Sequence, residues 1–322
     1  MNKKGFTLIE LLIVSLMTGI VLSAVYVTYT RLYSGAKQLS KITESNIENI
    51  MSSEMIRIDI GSAGLGLGKY EETSDGDFLY PVGWDNETKA LQIFTTYDRA
   101  EPRSYGWIML KCEEQGTECE LVDSSDTRES THFSGLKAID SLTGRLINFT
   151  EDTVSASDYR YAIGYPYDSA AEEQFRTISY YMADTCDNNT RVSSRCAPGT
   201  SLICRGNVAM VDCAAGFAVY GGYEENQEII YDTLENIIDD DPKNLLTLRR
   251  LVLHILVQEG QFDRGYNFGD DVITKNLDFD IEGDPMDQIT FDIPPDGRKY
   301  RWNILTIDAR TVNIGDKYES QQ

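Results

Sequence analysis

Histidine is almost missing from this chain: His132 and His254 are the only two in 322 residues. No GxSxG, HExxH, P-loop or dinucleotide-binding fingerprint occurs either, so hydrolase, zinc-protease and nucleotide-binding chemistries lack the groups they need. An enzyme is not expected. The six cysteines, Cys112, Cys119, Cys186, Cys196, Cys204 and Cys213, contain no CxxC pair, which removes zinc ribbons and thioredoxin-type redox sites. Positive charge is also scarce, with 29 Lys plus Arg against 52 Asp plus Glu and a net charge of -23. Such a surface repels polyanions over a Debye length of about 8 to 10 Å, so nucleic acid is a poor partner. Arg298, Lys299 and Arg301 are the best candidates for a local basic patch, and solvated surface charge explains them more simply.

With 41% hydrophobic and 25% charged residues, the composition is that of a globular protein rather than a disordered or multi-span membrane one. The amino terminus departs from it. Lys3 and Lys4 precede Gly5, and from Phe6 to Tyr29 the only charged residue is Glu10. About 20 apolar residues at 1.5 Å rise cross a hydrocarbon core of about 30 Å, and the flanking lysines hold such a segment's start in the cytoplasm. A cleaved secretory signal and a plain membrane anchor are the simpler readings. Neither accounts for Glu10, because a carboxylate inside a spanning segment costs about 2.5 to 3.5 kcal/mol and calls for a partner.

The stretch Gly5-Phe6-Thr7-Leu8-Ile9-Glu10-Leu11-Leu12-Ile13-Val14 resembles the class III signal of type IV pilins and type II secretion pseudopilins. The resemblance implies that a prepilin peptidase cuts between Gly5 and Phe6 and methylates the new amino terminus on Phe6. It also implies that Glu10 pairs with the terminal amine of a neighbouring subunit. The expected division is then a leader over 1–5, a transmembrane half-helix over 6–29, an amphipathic half over 30–60, and a periplasmic β-rich domain over 61–322, on a single-pass inner-membrane chain. In an oxidising compartment the six cysteines are expected as disulfides: Cys112 with Cys119 across a hairpin, and Cys186, Cys196, Cys204 and Cys213 as two more pairs.

From Arg31 onward Leu32, Ala36, Leu39, Ile47, Ile50, Met51, Met55 and Ile58 recur at spacings of three and four, which predicts one helix of roughly 50 residues whose apolar stripe packs on the following domain. Four glycines in Gly61–Gly68 end it. Strands are expected over Ala90–Thr96, Trp107–Cys112, Thr177–Met182, Asn207–Asp212, Gly216–Tyr220 and Lys299–Val312, with insertion-rich β-structure over about 70 to 175. Leu245–Gln258 reads as a second helix, and Asp239-Asp240-Asp241 before Pro242 as a turn. The fold class is α+β, pilin-like: a long N-terminal helix packed on an antiparallel sheet.

Segments around Glu48–Gly68 (with Arg57 and Asp59), Ile178–Tyr181, Ser201–Tyr220 and Arg298–Asn313 are similar to PilW-type minor pilins. That implies pilus assembly in a priming or tip complex with other minor pilins, the major pilin and the inner-membrane assembly platform, in contact with membrane lipid. The J-type minor pseudopilin of type II secretion and a tip adhesin or DNA-uptake receptor are the alternatives; about 260 residues after the helix favour the first over the J type. No cofactor is expected beyond one option. Asp278, Asp280, Glu282 and Gly283 occupy positions 1, 3, 5 and 6 of a calcium loop, yet position 12 is Ile289, not the bidentate glutamate such a loop requires. An acidic loop facing water is the simpler reading.

Overall fold

The computed structural model describes residues 7–64, 80–95, 108–113, 118–124, 137–140, 146–150, 159–167, 176–187, 189–281 and 287–311. A single helix, α1 (Leu8–Gly61), runs for 54 residues, roughly 80 Å at 1.5 Å per residue. It stops where the Ser62 amide turns back onto the carbonyls of Ile58 and Asp59. Gly64 then takes φ +73°, a left-handed conformation that glycine reaches without strain. Its amide donates to the Phe94 carbonyl, which hands the chain to the sheet.

The strands are β1 (Val82–Asp85), β2 (Ala90–Thr95), β3 (Ile108–Glu113), β4 (Glu118–Ser124), β5 (Lys137–Asp140), β6 (Leu146–Thr150), β7 (Tyr159–Tyr167), β8 (Arg176–Ala183), β9 (Ser201–Arg205), β10 (Val208–Glu225), β11 (Glu228–Thr233), β12 (Leu248–Glu259), β13 (Val272–Asn276), β14 (Gln288–Asp292) and β15 (Arg301–Arg310), with a short helix α2 (Leu234–Asp240) after β11. The main antiparallel sheet has the order β1-β2-β8-β9-β10-β12-β15, and β11 pairs with the far end of β10. The segments expected over Asn207–Asp212 and Gly216–Tyr220 are parts of one strand, β10. Between β2 and β8 the chain forms a separate closed barrel, β3-β4-β6-β5-β7. This is the stretch expected only as insertion-rich β-structure.

Two expectations fail. Leu245–Gln258 is not a helix: a 3-10 turn over Pro242–Thr247 leads into β12. β12 lies between β10 and β15 and is covered on both faces, so Leu251 through Gln258 are all buried. A strand covered on both faces shows no alternation, and its apolar run then fits helical spacing equally well. The Asp239-Asp240-Asp241 run closes α2, with Asp241 Oδ1 capping the 3-10 turn at the Lys243 amide.

The second failure concerns the helix stripe. Leu32, Ala36, Leu39, Ile47, Ile50, Met51, Met55 and Ile58 all face away from the head, with Ile50 65% and Met51 70% exposed. The face turned to the head carries Gln38, Lys41, Ile42, Ser45, Asn49 and Ser52, and only at Ile56, Asp59 and Ile60 is α1 buried. The periodicity was a valid sign of an amphipathic helix, but periodicity does not say which face meets the helix's own domain.

The core lies on both faces of the main sheet. On the helix side Ile56, Ile60 and Ala63 join Leu251, Leu253, Ile255, Val257 and Ile307, together with Leu234 and Ile237 of α2. Burying an isoleucine is worth about 1.5 to 3 kcal/mol, so this last turn and a half of α1 is its firm anchor. On the other side the β13–β14 hairpin, the segment before β15 and the start of β15 itself bring in Phe291, Ile293, Tyr300 and Trp302 against Leu256 and Ile304. Gly216 of β10 makes room for the Phe291 ring, since a Cβ there would lie 2.3 Å from it.

Candidate functional site

The first candidate residue, Glu10, sits in the first turn of α1. Thr7 is the N-cap: the Glu10 amide donates to Thr7 Oγ1 at 3.3 Å, while the Thr7 amide and hydroxyl each donate to Glu10 Oε2 at 2.9 Å. Thr7-Leu8-Ile9-Glu10 is therefore a capping box, a local pattern that the sequence carries in plain view and that gives Glu10 a role within its own helix. Gly5 and Phe6 lie outside the described residues. α1 is the one helix among the described residues long and apolar enough to cross a membrane. Its hydroxyls are satisfied internally: Ser15, Thr18, Ser23, Thr28 and Thr30 each donate to a carbonyl three or four residues back.

Beyond residue 37 the helix meets the head along a polar seam. Gln38 Nε2 donates to Asp263 Oδ2 at 2.5 Å. Gln38 first, then the Gly265 amide and the Arg301 charge, hold the Asp263 carboxyl below its ordinary value. Ser45 Oγ donates to the Gln258 carbonyl at 3.5 Å, Arg195 reaches Glu48 at 2.9 Å, and Ser52 Oγ donates to the Met210 carbonyl. Half-exposed contacts of this kind are worth about 0 to 1 kcal/mol each. A cleft of about 430 Å³ separates helix and head along this stretch.

The seam ends in a buried lock that sequence reasoning missed. Asp59 Oδ2 accepts from Arg205 Nε and from Tyr180 Oη, both at 2.5 Å. Burial, with the Asp59 carboxylate beside it, pushes the Tyr180 phenol well above its ordinary value, so it stays protonated and donates. Arg57 takes no part in it and pairs with Glu54 on the surface at 2.6 Å. The available signal was an aspartate placed between Ile56 and Ile60, the two isoleucines that head the core face of this last turn.

The disulfides are Cys112–Cys119, Cys186–Cys204 and Cys196–Cys213. Cys112 and Cys119 are direct cross-strand partners on β3 and β4. Cys196 and Cys213 also lie near Asp212 in the one group of possible metal ligands among the described residues, but their sulfurs are bonded to each other.

The remaining candidates are spread over the head. Asp278 and Asp280 are exposed, alternating with half-buried Leu277, Phe279 and Ile281, which pack against Tyr220 and Val252; the aspartates are the solvent side of an extended segment. Glu282 lies outside the described residues, as does His132. Arg298 pairs with Asp271, and Arg301 lies 3.6 Å from Asp263 and over the Tyr266 ring. His254 is buried beneath the β13–β14 hairpin, its Nδ1 2.9 Å from Thr306 Oγ1. Burial first, then the Lys275 charge, pushes it down to about 4, with Asp278 opposing.

Residues 1–26 match the family model described as the prokaryotic N-terminal methylation motif. No curated protein and no solved structure matches the chain. The prepilin-type methylation motif opens a long apolar helix that is followed by an antiparallel β head, an α+β architecture of pilin-like form.

Proposed function

We propose that this chain is a PilW-type minor pilin that enters a priming or tip complex of a type IV pilus, anchored in the inner membrane through residues 6–29 with its head in the periplasm. In this reading a prepilin peptidase cuts between Gly5 and Phe6 and methylates Phe6. The observation that carries the reading is the exposed stripe on α1: Leu39, Ile47, Ile50, Met51 and Met55 turn away from their own head and continue the apolar surface of the spanning half. A helix that is a plain anchor has no use for such a face outside the membrane, whereas one that packs among other subunits' helices does. Other minor pilins, the major pilin and the assembly platform are the partners this surface would meet.

Glu10 is the charge that would pair with the methylated amine of Phe6 on an adjacent subunit. Glutamine also fills a capping box, so Glu10→Gln keeps the Thr7 cap and removes the charge alone. The variant is expected to be inserted, cleaved and folded, yet to recover fewer partner pilins on co-purification and to support fewer surface pili. Wild-type values in both assays would sink the reading.

A further inference from the structure

The seam between α1 and the head has two halves of different chemistry. From Ile56 onward the helix lies in the core, and Asp59 is locked. From Gln38 to Ser53 it meets the head mainly through polar groups, across the cleft bordered by Ser45, Glu48 and Asn49 on one side and Arg191, Asp212 and Gln261 on the other. One contact in this half, Arg195 to Glu48, comes from the stretch between β8 and β9, whose described residues 184–187 and 189–200 form neither helix nor strand. A second, Ser45 to the Gln258 carbonyl, reaches a residue bonded to that stretch; Gln38 and Ser52 reach Asp263 and Met210 instead. Two disulfides staple the β8–β9 stretch, Cys186 to Cys204 on β9 and Cys196 to Cys213 on β10.

Arg195 directly precedes Cys196. Its guanidinium lies 2.9 Å from Glu48 on α1 and 3.6 Å from Asp212, the neighbour of Cys213. Its carbonyl accepts from Gln258 Nε2 at 3.1 Å, Gln258 Oε1 accepts from the Ala197 amide at 2.6 Å, and the Gln258 carbonyl accepts from Ser45 of α1. One disulfide thus fixes the backbone around the cation that grips the helix, and the same glutamine ties that backbone to the next helix contact.

We infer that residues 189–200 are a strap: through Cys196–Cys213 they hold Arg195 against Glu48 and, by way of Gln258, support Ser45. Without that central grip the Gln38–Asp263 and Ser52–Met210 contacts do not keep residues 38–53 of α1 on the head, so that this stretch swings away as an intact helix pivoting at Ile56. The strap therefore sets the angle at which the head is carried. Arg195 is a positioning residue, and the inference does not depend on the assembly reading. Glu44 is twelve residues from the pivot, roughly 18 Å along the axis, so a swing of about 20° displaces it on the order of 6 Å.

The test is a distance measurement between spin labels on non-natural ketone side chains, in the full chain in detergent micelles. One pair is placed at Glu44 and Val208, across the seam, and a second at Arg57 and Val208, beside the lock. Both pairs should give narrow distributions in the parent chain. In Arg195→Ala and in Cys196→Ser/Cys213→Ser the first pair should broaden and lengthen by about 5 Å or more, while the second stays narrow. Cys112→Ser/Cys119→Ser should change neither. Should the serine variant lose the fold, both pairs will broaden, and Arg195→Ala, with every disulfide intact, decides. A narrow Glu44–Val208 distribution unchanged in Arg195→Ala overturns the strap.

Discussion

Arg57 and Asp59 stand two positions apart on α1 and face opposite environments. Asp59 is 4% exposed and receives hydrogen bonds from both Arg205 and Tyr180, whereas Arg57 pairs with Glu54 in open solvent. Asp59→Asn removes a buried charge from a group of three and should lower stability by about 2 to 4 kcal/mol. Arg57→Ala should leave the unfolding curve unmoved. Parallel denaturant titrations of the two variants check the contrast. His254 adds a pH dependence of its own. Its folded-state value of about 4 is below the usual value near 6.5, so the unfolded chain takes up a proton before the folded chain does. Its contribution is fully present above pH 6.5 and is lost as pH falls toward 4. Lys275 works in the same direction and Asp278 against it. His254→Gln should flatten the stability curve between pH 6.5 and 4, as read from melts at half-unit pH intervals.

At the scale of elements, α1 and β12 fail the same test for different reasons. Both show apolar residues at helical spacing. In β12 that spacing is the by-product of a strand covered by α1 and α2 on one side and the β13–β14 hairpin on the other. In α1 the helix is real, but its apolar stripe belongs to a surface the head does not cover. The two faces of α1 then make opposite demands on substitution. Ile50→Asp and Met55→Asp alter exposed side chains and should leave the melting temperature and all three disulfides as they are. They should reduce recovery of partner pilins as strongly as the Glu10 change does. A drop in melting temperature of more than a few degrees would show that the stripe packs on its own head after all.

Across the whole molecule, the barrel is an insertion rather than a continuation of the sheet. Thr95 at the end of β2 and Arg176 at the start of β8 are direct cross-strand partners, so the chain leaves and re-enters the main sheet at adjacent positions. Closing that gap with a short turn costs little loop entropy and leaves β2 and β8 as an ordinary hairpin. Replacing residues 97–174 by a short glycine-containing turn should yield a chain that keeps Cys186–Cys204 and Cys196–Cys213 and unfolds cooperatively. Peptide mapping under non-reducing conditions together with a thermal melt decides it; scrambled cysteines or a gradual melt would show that the main sheet needs the barrel.

The sequence by itself determined what short-range patterns can encode: the methylation motif, the apolar span, the end of the helix near Gly61, and strands such as β2, β8 and β15 bounded by turn residues. Each depends on residues a few positions apart. Tertiary structure alone decided which face of α1 turns to the head, that β12 is a central strand, that β3 to β7 close into a barrel, and that Asp59 meets partners 121 and 146 positions away. Those outcomes depend on what covers a surface, and a pattern of apolar residues records that a surface must be covered without recording by what.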